Sequence, residues 1–246
     1  MLQNRIIPIL LLKGNSLYKT VNFKKPKYIG DAINTVRIFN EIETDELIIL
    51  DINATKKNEQ PNFNLLEQVS NECFMPLSYG GGIKDLNTAK KIIEIGYEKV
   101  VLNTVNFQKK NFINKLKTEI GSQSIVGVID YKKGFFGGYN VYSKGINKKH
   151  KISPTEWAKV LVNRGVGELI ITSIDNEGTW KGFDTYITKN ILKNVNVPII
   201  CNGGGGNINH IKDIFEMGVN AVGLGSMVVY QKKGMGVLVN MNNIQK

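Results

Sequence analysis

The sequence has few of the residues that bind metal ions or form disulfides. Its 246 residues include only two cysteines, Cys73 and Cys201, and two histidines, His150 and His210. Neither pair has the spacing of a metal-binding motif, and two cysteines do not make a disulfide framework. We therefore expect no metal site, no cofactor, and a reducing cytoplasm as the compartment of the protein.

Long apolar runs are also absent. No uninterrupted run reaches about 18 residues, the length that a membrane-spanning helix needs. The N-terminus lacks the pattern of a signal peptide. The chain is therefore predicted to be soluble and to make no contact with a membrane.

Arginine is scarce in a chain of high positive charge. The formal net charge is +11, but 29 of the 32 basic residues are lysines, most of them scattered over helical stretches. The sequence has no arginine-rich face with interleaved aromatic residues, which would be typical of a nucleic-acid-binding surface. This composition favours a solvated lysine-rich surface or the attraction of small anions, and we expect no binding of nucleic acid.

What the sequence does contain is an alternation of short apolar runs with longer amphipathic stretches, a pattern typical of parallel sheets. The eight candidate strands are IIPILLL, LIILDI, MPLSY, KVVLN, SIVGVIDY, ELIITSI, VPIICN and AVGLGS. Hydrophobic residues make up 42% of the chain, and no linker-like segment interrupts it. Together these features predict an α/β fold, a single (β/α)₈ TIM barrel domain over residues 1–246.

The two halves of the sequence resemble each other. The segment ELII at residues 46–49 recurs at 168–171, and a 30-residue segment that starts at Met75 is matched by one that starts at Val197. Both matches have an offset of 122 residues, which indicates two duplicated half-barrels. The same alignment, with an offset of 119 residues, places Leu11 of the first strand opposite Asp130 of the fifth.

Three segments depart from a plain barrel. Residues 134–152, after the fifth strand, are predicted to form a hairpin insertion before a helix that Ser153 and Pro154 open. Residues 18–31, YKTVNFKKPKYIGD, are interpreted as a charged loop. The tail after Ser226 contains two glycines and predicts a short or irregular closing helix.

Glycine-rich loops follow two equivalent pairs of strands. Loops at the C-terminal ends of barrel strands present N–H groups to anions, and glycine lets the backbone approach a phosphate closely. Such glycines also serve plain tight turns, but two loops at equivalent places favour a phosphorylated small molecule with two phosphates. The candidate phosphate-binding residues are Gly81, Gly82, Asn103, Thr104, Glu177, Gly178, Gly203, Gly204, Gly225 and Ser226.

Acidic residues lie at the ends of three strands, at Asp51, Asp130 and Asp175. A carboxylate near bound anions can act as a general acid or base, and it can also simply cap a helix or accept hydrogen bonds from a loop. We take Asp130 as the candidate catalytic residue and Asp51 as a further candidate for the substrate site. Lys19 is a candidate lid residue, although a lone lysine in a lysine-rich chain is more often solvated.

Charged residues directly precede four strands, at the opposite end of the predicted barrel. They are Arg5, Glu46, Lys99 and Glu168. Two cations and two anions around one rim can close a ring of ion pairs over the barrel axis. From the residues alone, solvated strand starts are the more frequent outcome.

The order and spacing of these motifs resemble the cyclase subunit of imidazole glycerol phosphate synthase over essentially the whole chain. The resemblance rests on RIIP, DELIILDI, PLSYGGGI, KVVLNT, GSQSIVGVID, EWAK, TSIDNEGT and GGGGN. It implies a glutaminase subunit that docks on the N-terminal rim and releases ammonia there. The ammonia would cross a gate formed by Arg5, Glu46, Lys99 and Glu168 and travel through the barrel to its mouth.

The resemblance also implies a cyclase-type lyase. In that family, ammonia condenses with a ribulosyl phosphate aminoimidazole carboxamide ribotide, and two aspartates act as acid and base. Asp130 matches the second aspartate, whereas Leu11, which cannot transfer a proton, occupies the position of the first. Ile9 and Glu177 stand where the family usually has cysteine and aspartate.

The segments LLLK, NFKKPKYIGD and YGGGI resemble a divergent branch of the family that is encoded with sugar amidation enzymes. This resemblance implies that the barrel and its glutaminase deliver ammonia to a separate sugar amidotransferase, which makes acetamidino sugars for surface glycans. We therefore predict the barrel subunit of a glutamine amidotransferase.

Four alternatives stay open at this point. The chain could be an ordinary histidine-pathway cyclase that works with Asp130 alone or with another acid. It could be the sister phosphoribosyl isomerase, which needs no glutaminase and gives no reason for the charged rim. It could also be a non-catalytic scaffold that only activates a glutaminase, or a basic nucleic-acid-binding module. Turnover of the ribotide separates the first alternative from the rest, and a salt-dependent shift of DNA or RNA would support the last.

Overall fold

The computed structural model describes residues 4–135, 137–241 and 244. Its strands are Arg5–Lys13 (β1), Ser16–Val21 (β2), Lys24–Asp31 (β3), Leu47–Asp51 (β4), Leu77–Gly80 (β5), Lys99–Leu102 (β6), Ile125–Lys133 (β7), Tyr139–Ser143 (β8), Lys148–His150 (β9), Glu168–Ser173 (β10), Ile199–Asn202 (β11) and Ala221–Leu224 (β12). Its helices are Ala32–Glu41 (α1), Ala54–Lys57 (α2), Phe63–Asn71 (α3), Leu86–Glu94 (α4), Val105–Gln108 (α5), Phe112–Ile120 (α6), Pro154–Arg164 (α7), Thr185–Leu192 (α8), Ile208–Glu216 (α9) and Ser226–Val229 (α10). Two short 3₁₀ helices span Ser122–Ser124 and Lys144–Ile146.

Eight of these strands form a closed parallel barrel. The strands β1, β4, β5, β6, β7, β10, β11 and β12 pair in that order, and β12 pairs with β1 to close the ring. The predicted (β/α)₈ TIM barrel and its eight strands are confirmed. Because β1 and β7 are four strands apart in this ring, the first strands of the two half-barrels face each other across it.

The barrel strands bury both of their faces. In β1, Leu10 and Leu12 pack in the large core between the sheet and the helices, whereas Ile7 and Ile9 belong to a separate apolar cluster inside the barrel. This alternation follows from the period of two residues in a strand. The inner cluster also contains Ile48, Val101, Val126, Val128, Ile170, Ile200 and Ala221.

Side-chain caps fix where several helices begin. Asp31, Asn62, Asp85, Asp184 and Asn207 each accept a hydrogen bond from the backbone N–H three residues later. The predicted helix at Ser153 and Pro154 is confirmed, with a capping box between Ser153 and Glu156. Each such cap stabilises a helix by about 1 kcal/mol, so the helices begin directly after the loops at the barrel mouth.

Two antiparallel insertions rise from β1 and β7, on opposite sides of the mouth. The predicted insertion after the fifth barrel strand is confirmed: the end of β7 pairs with β8, and β8 with β9. Phe136, within that prediction, lies outside the described residues. The prediction of a charged loop over residues 18–31 is wrong, because β2 and β3 extend β1 as an antiparallel hairpin.

The closing segment is short, as predicted. α10 has four residues, and an isolated bridge between Tyr230 and Val237 follows it. Among the described residues, no helix is long and apolar enough to cross a membrane. Since both termini include residues outside the description, a single domain over residues 1–246 stays a prediction.

Candidate active site

A cavity of about 860 Å³ opens at the C-terminal ends of the barrel strands. Both glycine-rich loops line it, together with Leu11, Asp51 and Asp130. The loops that follow β5 and β6 lie across the ring from those that follow β11 and β12. The fold therefore brings the candidate residues from both half-barrels into one site.

The first glycine-rich loop requires glycine for steric reasons. Gly81 and Gly82 have φ values of +124° and +68°. A Cβ atom at Gly81 would lie 2.6 Å from the carbonyl oxygen of Asp51. The Gly82 N–H donates to the Thr55 hydroxyl at 3.2 Å, and Asn103 and Thr104 lie nearby on the cavity wall.

The second loop is built in the same way. Gly203 and Gly204 have φ values of +89° and +117°, and a Cβ atom at Gly204 would lie 2.0 Å from the carbonyl oxygen of Gly182. Gly178, Gly225 and Ser226 complete this side of the cavity wall. Both loops thus place glycine residues and a hydroxyl side chain on the wall of the same cavity.

Asp130 is the buried acid of the site. Burial raises the pKa of Asp130 to about 7, although hydrogen bonds with Thr172 and Asn103 oppose the rise and the nearby Glu177 carboxylate adds to it. The Asn103 amide donates to Asp130 Oδ2 at 2.7 Å, and Asn202 donates to the Thr172 hydroxyl at 3.2 Å. A carboxyl group that titrates near neutral pH can both accept and donate a proton at working pH.

The first half-barrel has no acid at the position equivalent to Asp130. Leu11 lines the cavity and pairs with Leu50 of β4, whereas Asp130 pairs with Thr172 of β10. An offset of 122 residues relates Leu50 to Thr172. An apolar pair therefore replaces the polar pair on one side of the mouth.

Lys19, the candidate lid residue, lines the cavity and is not solvated, which was the more frequent alternative for a lone lysine. It is 7% exposed and forms an ion pair with Glu177, which is 5% exposed. The Glu177 carboxylate also accepts hydrogen bonds from the Thr20 hydroxyl and the Phe23 N–H, both at 3.0 Å. These contacts fasten the β2–β3 hairpin to the loop that carries Gly178.

Two other acids have local structural contacts. Asp51 accepts hydrogen bonds from the N–H groups of Asn53 and Ala54 at 2.8 and 2.9 Å. Burial nonetheless raises the pKa of Asp51, against the effect of these two hydrogen bonds. Asp175 accepts a 2.9 Å hydrogen bond from the exposed Lys133 N–H, which agrees with the simpler interpretation of this residue as a loop acceptor.

At the other end of the barrel, four charged residues form a closed ring. Arg5 donates to Glu46 at 2.6 Å and also to Glu168. Lys99 donates to Glu46 at 2.9 Å and to Glu168 at 2.8 Å. Burial lowers the pKa of Lys99, but the two carboxylates outweigh it and raise the pKa overall. The apolar cluster inside the barrel lies between this ring and the mouth.

Sequence reasoning missed several polar residues that contact Asp130 directly or are linked to it through Thr172 or Asn103. Thr172 was detectable, since it is the repeat partner of Leu50. Asn202 ends β11, beside a predicted loop. Ser143 and His150 lie in the insertion after β7, which has no counterpart that the repeat could align.

Together the fold and the site define a class of protein: a duplicated (β/α)₈ barrel with paired glycine-rich loops around one buried carboxyl group and a ring of ion pairs at its base. The sequence matches the family described as histidine biosynthesis protein over residues 5–234. The chain belongs to this family, in the group of imidazole glycerol phosphate synthase subunit HisF, which confirms the resemblance that the motifs carried.

Curated relatives cover nearly the whole chain. A provisionally named imidazole glycerol phosphate synthase subunit hisF2 of Pseudomonas aeruginosa is 49% identical over 100% of this chain and 98% of its own length. A provisionally named HisF subunit of Leptospira borgpetersenii is 43% identical over 99% of this chain and 96% of its own length. The HisF subunit of Alkaliphilus metalliredigens is 35% identical over 89% of this chain and 86% of its own length.

Proposed function

We propose that this chain is the barrel subunit of a glutamine amidotransferase of the imidazole glycerol phosphate synthase type. It receives ammonia from a glutaminase subunit at its base and delivers the ammonia at its mouth. One observation carries the proposal: the ring of Arg5, Glu46, Lys99 and Glu168 and the cavity at Asp130 lie at the two ends of one apolar barrel interior.

The ring supports the role of a gate. Glu46 and Glu168 are only 3% and 4% exposed, and each accepts hydrogen bonds from both Arg5 and Lys99. Buried charges are costly unless they are paired, so the four groups hold one another in place.

The interior favours ammonia over ammonium. The buried side chains of its apolar cluster are Ile, Val and Ala, and an ion that enters such surroundings loses its hydration without replacement. Neutral ammonia avoids most of that cost. The proposed glutaminase therefore releases ammonia directly beneath the ring, where it does not equilibrate with protons in bulk water.

The mouth supports binding of a phosphorylated small molecule. Each glycine-rich loop has glycines at positive φ and a hydroxyl side chain, Thr104 or Ser226, on the cavity wall. The cavity lies between the two loops, which suits a ligand with a phosphate at each end. Lys56, Lys84 and Lys144 add positive charge to its lining.

For the acceptor of the ammonia, we propose a separate sugar amidotransferase that makes acetamidino sugars. The support is the pair of Leu11 and Leu50 at the mouth, since a conduit does not need the acid that this position lacks. Cys73 and Cys201 are both free, which suits a reducing compartment such as the cytoplasm.

A second candidate is a cyclase-type lyase of histidine biosynthesis, which makes imidazole glycerol phosphate and aminoimidazole carboxamide ribotide. Two observations favour it: the pKa of Asp130 near 7 and the names of the curated relatives. On this alternative, Asp130 transfers the protons alone or with another group of the mouth.

Copurification from the native cell tests the proposal. The full chain carries an affinity tag, and mass spectrometry identifies the chains that accompany it. A glutaminase together with a sugar amidotransferase supports the ammonia-delivery function. A glutaminase alone, with turnover of the ribotide, supports the cyclase. If no glutaminase accompanies the chain, both are wrong.

A further inference from the structure

A chain of hydrogen bonds connects the Asp130 carboxylate with His150. The Asn103 amide donates to Asp130 at 2.7 Å, and the Ser143 hydroxyl donates to the Asn103 amide oxygen at 3.4 Å. The Ser143 hydroxyl also lies 3.0 Å from His150 Nε2. Ser143 is fully buried, so water does not compete for these contacts at its side chain.

The chemistry of the three groups allows one arrangement in which both contacts of the Ser143 hydroxyl are hydrogen bonds. Asn103 presents its NH₂ group to the carboxylate, so its oxygen faces Ser143 and must accept. A hydroxyl has a single hydrogen, and in this arrangement Ser143 donates it to the Asn103 oxygen, which can only accept. The contact between Ser143 and His150 is therefore satisfied only when His150 Nε2 carries a hydrogen and donates it.

Aromatic stacking holds His150 in this position. Its ring lies parallel to the Phe107 ring, with centroids 3.7 Å apart, and Phe107 stacks in turn on Trp157 with centroids 4.0 Å apart. β9, which ends at His150, pairs with β8, which ends at Ser143. The insertion after β7 thus supplies both Ser143 and His150 to this series of hydrogen bonds.

We infer that His150 is a positioning residue for Asp130: its Nε2–H group orients the Ser143 hydroxyl, which in turn orients the Asn103 amide. With Asn103 held in this way, the carboxylate always faces an N–H donor. Without the hydrogen bond from Ser143, the Asn103 amide is free to turn its oxygen toward Asp130, which favours the protonated form of Asp130. The inference rests on the proposed function only in taking Asp130 as the proton-transfer group of the mouth.

Among the described residues, few other charged groups affect the pKa values of Asp130 and His150, the two ends of this series of hydrogen bonds. The Glu177 carboxylate raises the pKa of Asp130, and Thr172 opposes that effect through its hydrogen bond. Burial and the neighbouring Lys148 lower the pKa of His150. His150 is therefore mostly neutral near pH 7, so the choice of ring nitrogen for its hydrogen decides the direction of the chain.

Carbon-13 NMR titration of the Asp130 carboxyl in the full chain tests the inference. Asp130→Asn assigns the resonance. His150→Phe keeps the stack on Phe107 but removes the Nε2–H group, and Ser143→Ala removes the link. We expect each variant to raise the pKa of Asp130 by about 0.5, or roughly threefold in proton affinity. The double variant should change the pKa no more than Ser143→Ala alone, since His150 acts through Ser143.

The other histidine provides the matched control. His210 lies in α9, and its backbone N–H donates to Asn207, the residue that caps this helix. His210→Phe should therefore leave the titration of Asp130 unchanged. An unchanged Asp130 pKa in His150→Phe, or additive changes in the double variant, would overturn the inference. The titration needs no substrate and no partner, so its result is independent of whether a glutaminase binds the chain.

Discussion

Leu11 pairs with Leu50 in the register between β1 and β4, where the second half-barrel pairs Asp130 with Thr172. Both pairs line the same cavity. The duplication has thus kept the barrel and its loops on both sides while the polar groups remain on one. A site without an acid at the position of Leu11 can bind the same class of ligand, but it lacks the partner acid that faces Asp130 in the resemblance.

The leucine at position 11 predicts weak cyclase activity. With ammonia in excess, which bypasses any glutaminase, we expect turnover of the ribotide about 10²- to 10⁴-fold below that of an acid–base pair. Leu11→Asp should restore part of the rate, and Leu11→Asn, which is of similar size but cannot transfer a proton, should not. A steady-state assay of the purified chain measures all three. Turnover at about 1 s⁻¹ or faster by the unmodified chain would contradict the role we assign to Leu11.

Phosphate should stabilise the folded chain. A ligand that binds only the folded state raises the melting temperature, so we expect a thermal shift with inorganic phosphate. Thr104→Val and Ser226→Ala should each reduce the shift, because each removes one hydroxyl donor from a loop. Thr118→Val, on an exposed face of α6, is the control and should leave the shift intact. A crystal soaked in sulfate with both loops empty, together with no thermal shift, would rule out the phosphate sites.

The ion pair between Lys19 and Glu177 should contribute strongly to stability. Glu177→Gln leaves the Lys19 ammonium buried without a counter-charge, and breaking such a pair costs about 3 to 5 kcal/mol. Glu72→Gln is the control, since Glu72 pairs with Arg37 at the exposed surface, and we expect no measurable change. Urea unfolding gives the free energies. If the double variant Lys19→Met/Glu177→Gln is no more stable than Glu177→Gln, the buried charge is not the cause of the loss.

Asp130 should make the stability of the protein depend on pH. Its pKa is about 7 in the folded chain and near 4 in an unfolded one, so the folded state binds more protons between these values. The free energy of unfolding therefore falls as the pH rises from about 4 to about 7.

Asp130→Asn cannot titrate, and its stability relative to the unmodified chain should rise by up to about 4 kcal/mol across this window. Urea unfolding at several pH values measures the difference. All other titratable groups are common to Asp130→Asn and the unmodified protein. If the free energies of unfolding of the two proteins change with pH in parallel, burial does not raise the pKa of Asp130.

The barrel was predictable from the sequence because it repeats itself at two levels. Alternating apolar and amphipathic segments indicate eight strands, and the offset of 122 residues relates the halves. The β2–β3 hairpin was not predictable in the same way. Its strands contain Lys19, Lys24, Lys25 and Lys27, and charged residues of this density are typical of loops.

The candidate site was predictable only for residues that recur in both halves of the sequence or that lie at the end of a predicted strand. The glycine-rich loops satisfy both conditions. The burial of Lys19 depends on Glu177, which is 158 residues away in the chain, and no local pattern joins the two. The contact of Ser143 with Asn103 likewise depends on how the insertion after β7 folds back over the mouth.

The rate of glutamine hydrolysis by the copurified glutaminase, measured with and without this barrel, tests the proposed function most directly. A partner that docks on the ring of Arg5, Glu46, Lys99 and Glu168 should hydrolyse glutamine faster in the complex than alone. We expect a stable complex and an increase in rate of about tenfold or more, which corresponds to a barrier lower by about 1.4 kcal/mol. No complex between the purified chains, or a complex with an unchanged rate, would contradict the proposal that this barrel works with a glutaminase.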